Sequence, residues 1–276
     1  MTQGTAAWLP TAEDVLGSFR RLTPQRHPML HVTSRDKIYD EGNWMAPGGL
    51  LLAGRMAEQL SLCPGERVLD LGCGRGQSSV FLASMYGTEV VSLDLWVSAS
   101  ERQQAAVEAS VGGLVTPMQG DIARGLPAGL GGFDAIFCMQ SFHCFGTRAS
   151  VVRYLASLLR PGGRICFAQG CFRDEPAPLP ALFQETDRWH AEYEKYHSPG
   201  WWGNHLQAAG TFDVGASQEV PDGDILWEDD VLYRGDRAGW SDAFLSNAQW
   251  LIRQIAHGQT SSPTLTHCIV CEKRKA

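Results

Sequence analysis

No uncharged apolar stretch of about 18 residues occurs in this chain of 276 residues, so nothing in it reads as a membrane-spanning helix. The opening residues, MTQGTAAWLPTAEDVLG, lack the basic start and continuous apolar run of a secretory signal, and a soluble, cytoplasmic protein is expected. Positive charge is in deficit too. The 23 Lys and Arg stand against 30 Asp and Glu, a net charge of −7, which argues against nucleic acid as the main partner. There is no internal repeat and no low-complexity tract. Of eight cysteines, Cys138, Cys166 and Cys268 sit in apolar strand-like runs, where the thiol behaves as a small hydrophobe, and reduced structural thiols are expected. Cys268 and Cys271 have CxxC spacing, but no second such pair and no nearby His pair accompanies them, so no metal centre is expected.

What the chain does have is Glu66 to Ser79, ERVLDLGCGRGQSS. The apolar strand-like run Val68-Leu69-Asp70-Leu71 gives way to glycines at alternate positions, Gly72, Gly74 and Gly76, and then to small polar residues able to open a helix. Glycine suits a turn where the backbone takes positive φ or approaches a ligand closely. A helix starting there aims free N–H groups and the positive end of its dipole at whatever binds. The stretch reads as a nucleotide-type cofactor site.

Alternating elements follow it. The pattern predicts helices over 50–62, 78–86, 98–110 and 150–159, and strands over 89–93, 114–119, 133–139 and 164–168. Short connections between alternating strands and helices call for a parallel doubly wound α/β sheet with its ligand at the carboxyl ends of the strands. A dinucleotide site would show GxGxxG, whereas the spacing here is GxGxG, with Asp94 closing the second strand. The ordered set of Asp70 to Gly76, Asp94, the Gly120-Asp121 step, the FDAIFC strand and the LLRPGG turn resembles a class I S-adenosylmethionine-dependent methyltransferase, over roughly residues 60 to 170. Within that family the cofactor half looks nearest to the ubiquinone, sterol and cyclopropane-type small-molecule group.

The resemblance implies a seven-stranded, mostly parallel Rossmann-like sheet with helices on both faces, and S-adenosyl-L-methionine as cofactor. It also implies cofactor contacts from Asp70, Gly72, Cys73, Gly74, Gly76, Ser78, Asp94, Leu95, Trp96, Asp121, Ile122, Gln140 and Ser141. Asp70 is expected to meet the methionine ammonium, or else to cap the turn. Asp94 is expected to accept from the two ribose hydroxyls, a role suited to a carboxylate. Asp121 would hold the adenine amino group and Ile122 would offer its backbone N–H to the ring. Trp96 would pack on adenine or serve as core. His143, expected near the transferable methyl, is the candidate general base, since an unperturbed imidazole pKa of about 6.5 suits neutral pH, with a hydrogen-bonded wall histidine as the alternative.

The acceptor is expected to be chosen by the flanks. Residues 1–49 read as an N-terminal lid containing a short helix over 11–22, and 50–276 as the methyltransferase domain, with substrate-side insertions near 171–205 and 221–262. Helical spacing is expected over 179–196, a break at SPGWW, a short helix over 203–209, strands over 211–220 and 265–272, and a helix-like run over 240–257. His31, Tyr39, Trp44, Trp189 and Trp201 are the candidate substrate contacts, suited to a flat, hydrophobic or cationic small molecule. The acidic run Trp227 to Asp230 is expected to be solvent-exposed or to attract a positively charged substrate. The expected activity is methyl transfer to a small-molecule acceptor, at C, O or N, with no membrane partner and with a homodimer contact possible in the insertion. Methylation of RNA or protein, and cofactor binding without catalysis, are the alternatives.

Overall fold

A computed structural model describes residues 21, 23, 35–39, 43–175, 195–238 and 265–275. The expected helices over 11–22 and 240–257, nearly all of that over 179–196, and the candidate contacts His31 and Trp189 lie outside the described residues. In chain order the elements are α1 (Arg35–Tyr39), α2 (Gly49–Leu60), β1 (Arg67–Leu71), α3 (Gln77–Tyr86), β2 (Glu89–Asp94), α4 (Ala99–Glu108), β3 (Val115–Gln119), β4 (Phe133–Met139), α5 (Ala149–Leu158), β5 (Leu159–Phe172), α6 (Pro199–Ala208), β6 (Phe212–Glu219), α7 (Gly223–Ala238) and β7 (Leu265–Arg274). Short 3-10 turns, Ile122–Arg124 and Phe142–Cys144, follow β3 and β4.

The strands form one seven-stranded sheet in the order β3-β2-β1-β4-β5-β7-β6. β1 to β5 are parallel, and β7 runs antiparallel between β5 and β6. Two buried clusters cover its two faces, and successive strand residues alternate between them: Val68, Ala135 and Phe137 belong to one, Leu69, Ile136 and Cys138 to the other. Burial on both faces explains why these strands read as continuous apolar runs. Phe167 stacks on Phe142, and the fully buried Trp202 meets both edge-on, seating α6 on the sheet.

Two expectations on the flanks are corrected. SPGWW is a helix start, since the Ser198 hydroxyl accepts from the Trp201 N–H and Pro199 occupies the first turn of α6, where its missing N–H has no consequence. The acidic run is not a solvated face. It lies in α7, where Glu228, Asp229 and Asp230 are all buried. The Tyr39 hydroxyl donates to Asp229 Oδ2 at 3.0 Å and Arg234 Nε donates to Asp230 Oδ2 at 2.7 Å, so these acids are packed against hydrogen-bond donors. All eight cysteines are free thiols, and no cluster suited to a metal ion occurs among the described residues. Among those residues no helix is long and apolar enough to cross a membrane.

The junction between β1 and α3 is closed from beneath by Asp70. This residue is 1% exposed, and its Oδ2 accepts from the Ser78 and Ser79 hydroxyls, each at 2.6 Å. Burial, opposed by the two serine hydrogen bonds, pushes the Asp70 carboxyl up to about 6 from an ordinary 3.8. Its folded value thus exceeds its unfolded one. Across that window the folded chain holds the extra proton, and the contribution of Asp70 to stability falls as pH rises. His267, pushed down to about 4 by burial, acts with the opposite sign, losing stability as pH falls, so only a difference measurement isolates Asp70. In denaturant titrations Asp70→Asn is expected to gain on the parent by on the order of 2 kcal/mol between pH 4 and pH 7. A difference that stays flat over this range would show that the ionised carboxylate is not strained.

Candidate functional site

At the carboxyl ends of β1, β2, β3 and β4 lies a cavity of about 600 Å³. Its floor is the glycine turn. Gly72, Gly74 and Gly76 all have positive φ, at 72°, 53° and 89°, a region that a side chain resists. Space forbids a side chain as well: a Cβ on Gly72 would drive into Ser141 Oγ, and one on Gly74 would come within 2.8 Å of Met45 Sδ. Main chain is therefore what the turn presents to a ligand.

Asp94, at the end of β2, organises the wall. It is 6% exposed, yet it lines the cavity. Its Oδ2 accepts from Gly74 N at 2.9 Å, and its Oδ1 accepts from Trp96 N at 2.8 Å and Val97 N at 2.9 Å. A carboxylate has about four acceptor sites, so three are taken by the backbone and capacity remains for one strong donor from a ligand. Beneath it the buried Arg102 guanidinium donates to the carbonyls of Val97 and Met118, tying the turn after β2 to the end of β3. Asp121 and Ile122 border the cavity next door, with Asp121 Oδ1 accepting from Ala123 N at 2.9 Å and so capping the 3-10 turn.

The β4 end supplies Gln140 and Ser141. Gln140 has a φ of 58°, unusual for a residue with a side chain, and its surroundings hold it there. Gln140 Nε2 donates to the Pro47 carbonyl at 3.1 Å, while Oε1 accepts from Gly170 N at 3.0 Å. Ser141 Oγ donates to the Leu71 carbonyl at 3.1 Å. Opposite lies residues 43–46, with Trp44 and Met45 on the cavity and Arg75 Nη1 donating to Asn43 Oδ1 at 3.2 Å.

Most residues assigned from sequence meet around this space: Gly72, Cys73, Gly74, Ser78, Asp94, Leu95, Trp96, Asp121, Ile122, Gln140, Ser141 and Trp44 all border it. Trp96 is 74% exposed, which excludes the core alternative. Gly76 caps α3 against Arg102 and does not border the cavity. Four further residues assigned from sequence lie off the cavity wall. Asp70 does not line the cavity and closes the turn from beneath, its Oδ2 accepting from Ser78 and Ser79, as in the turn-capping alternative read from sequence. His143 is buried off the cavity wall, its ring edge-on to Tyr196 at 5.1 Å. Tyr39 is 1% exposed and stacks on Tyr233 at 4.6 Å. Trp201 is sandwiched between His197 and His205, at 3.5 and 4.7 Å. Met45, Arg75, Cys144, Phe145, Arg148 and Lys195 also border the cavity, and sequence reading missed them in this role. Only Cys144 and Phe145 carried a signal, as the continuation of the β4 stretch.

The family described as "Methyltransferase domain" matches residues 68–163. Over 143 residues the chain is 32% identical to 27-O-demethylrifamycin SV methyltransferase of Amycolatopsis mediterranei, covering 51% of this chain and 52% of that protein. The chain spans about half the length of several curated relatives it matches. Among solved structures, Haemonchus contortus phosphoethanolamine N-methyltransferase 2, in complex with phosphomonomethylethanolamine and S-adenosylhomocysteine, superimposes with a TM-score of 0.70 at 15% identity, over 92% of this chain and 61% of that one. Geranyl diphosphate C-methyltransferase of Streptomyces coelicolor A3(2), in complex with Mg2+, geranyl diphosphate and S-adenosyl-L-homocysteine, gives 0.63 at 18% identity, over 82% of this chain and 79% of that one. With the GxGxG turn, the acid closing β2 and the order of the seven strands, these matches identify residues 68–163 as a methyltransferase domain and give the described chain the fold of S-adenosylmethionine-dependent methyltransferases.

Proposed function

We propose that the chain binds S-adenosylmethionine in the cavity over the glycine turn and transfers its methyl group by direct displacement to a small-molecule acceptor. The observation that carries this reading is the Asp94 carboxylate, fixed by three backbone N–H groups at the cavity wall with acceptor capacity to spare for a ribose hydroxyl. The bare floor at Gly72 and Gly74, which a Cβ would obstruct, suits close approach of the amino-acid portion. Trp96, exposed beside Asp94, offers an aromatic face to adenine, and Asp121 with Ile122 borders the same end.

When bound, the cofactor supplies an already activated sulfonium methyl, so alignment and exclusion of water are the protein's share of the work. Gln140 is held by its two amide hydrogen bonds, and the Trp44–Met45 segment roofs the cavity, which restricts water there. We read residues up to 49 as the lid inferred from sequence, with 43–48 its described inner edge. Small-molecule use is supported by the net charge of −7 and by relatives named for 27-O-demethylrifamycin SV, phosphoethanolamine and geranyl diphosphate, which between them include O-, N- and C-methyltransferases.

Calorimetric titration with S-adenosylmethionine is the direct test. Asp94→Asn exchanges a charge-assisted acceptor for a neutral one and is expected to weaken binding by about tenfold to a hundredfold. Tight binding of NAD with none of S-adenosylmethionine would overturn the reading. A base is needed only when the acceptor must lose a proton, and His143 remains the side chain assigned to that step from sequence. With an acceptor found by screening, a base role predicts that His143→Ala keeps cofactor affinity and loses about a hundredfold in turnover. Retained turnover would fit the placement of the ring off the cavity wall.

A further inference from the structure

The buried acids of α7 stand on the side of the molecule that holds the cavity roof. We propose that Tyr39, Asp229 and Arg234 are positioning residues that hold residues 43–48 over the glycine turn and thereby set how fast the cofactor leaves. This rests on the cofactor reading above.

Three observations converge. First, the segment before α2 is fastened to α7 at successive points: the Tyr39 hydroxyl donates to Asp229 Oδ2 at 3.0 Å, the Tyr39 ring stacks on Tyr233, and Arg234 Nη2 donates to the Trp44 carbonyl at 3.3 Å. Arg234 is itself oriented by Asp230 through Nε at 2.7 Å. Second, the same segment touches the cofactor turn. Met45 Sδ packs over Gly74, Asn43 meets Arg75, and Pro47 accepts from Gln140. Third, α7 is seated on the sheet at its other end, where Trp227 Nε1 donates to the Thr266 carbonyl at 3.2 Å and the indole stacks on His267 at 4.9 Å. Trp227 also covers Gly170, where a Cβ would come within 2.8 Å of the indole, and Gly170 N donates to Gln140. The helix thus grips both the roof and the β5 and β7 ends on which the roof's partner Gln140 depends. The sharp return that lets the segment lie there is the pair Gly48 and Gly49, both at positive φ, with a Cβ on Gly49 blocked by the Ile38 carbonyl.

None of the three residues borders the cavity, so their effect on a ligand must pass through the roof. The test uses the full chain with S-adenosylhomocysteine as the probe. Tyr39→Phe removes one hydroxyl, and Arg234→Met removes the guanidinium but keeps an apolar stem. Stopped-flow tryptophan fluorescence, reporting from Trp44 and Trp96 on the cavity, gives the rate constants, and amide hydrogen exchange locates any loosening. Each variant is expected to release S-adenosylhomocysteine about fivefold faster, with association unchanged within about twofold. Exchange should quicken over 43–49, with β1 and β4 as protected as in the parent. A dissociation rate equal to the parent's overturns the proposal, as does unchanged exchange over 43–49. So does faster exchange spread through β1 and β4, which would mean general destabilisation. If the parent itself fails to bind S-adenosylhomocysteine, the cofactor reading falls, while the exchange measurement still decides whether α7 anchors the roof.

Discussion

Everything at this site depends on one carboxylate reaching three backbone N–H groups. Asp94 ends β2 in register with Gln119 of β3, and β2 lies beside β1, so the acid arrives next to the turn that β1 feeds. It can accept from Gly74 N only because the chain there runs close and bare, and that in turn requires the positive φ values of Gly72, Gly74 and Gly76. A buried carboxylate without donors would be strongly destabilising. Here the donors are main chain and cannot rotate away, so the charge is held in one orientation before any ligand enters. Preorganisation of this kind is what lets a polar site bind without rearranging.

Asp70 and Asp94 lie close enough to influence each other, and their environments divide the labour. Asp70 has only two serine hydroxyls and deep burial, which drives its carboxyl toward the protonated state, whereas Asp94 collects backbone donors and borders the cavity. The acid in the glycine motif therefore acts on the shape of the turn, and the acid one strand over faces the cavity. The two are equivalent as letters in a sequence; what separates them is which donors the fold delivers to each.

That difference also explains what sequence could and could not disclose. The sheet was legible because burial on both faces leaves continuous apolar runs, and the turn was legible because positive φ selects glycine at fixed spacing. Ser198-Pro199 was misread as a break since proline marks both the end of one element and the first turn of the next, and only the Ser198 to Trp201 hydrogen bond distinguishes them. Glu228, Asp229 and Asp230 were misread more seriously, because an acidic run looks solvated unless its donors are known. The donors here come from Tyr39, far away in sequence, and from Arg234 one helical turn on. Tyr39 and Trp201 were likewise read as pocket walls because aromatic residues serve in cores and pockets alike; here Tyr39 stacks on Tyr233 and Trp201 on His197 and His205, and neither borders the cavity over the glycine turn.

Motif and flank follow different physics in consequence. A cofactor of constant structure imposes constant spacing, so the half of the chain that meets it is written in local signals such as glycine, an acid at a strand end and a short turn. The roof has no such template. Residues 43–48 are positioned by contacts to α7 and to the β4 and β5 ends, each of which joins segments distant in sequence, so no local pattern records them. Variation in the roof or in α7 can therefore reshape that wall of the cavity without disturbing Asp94 or the glycine turn.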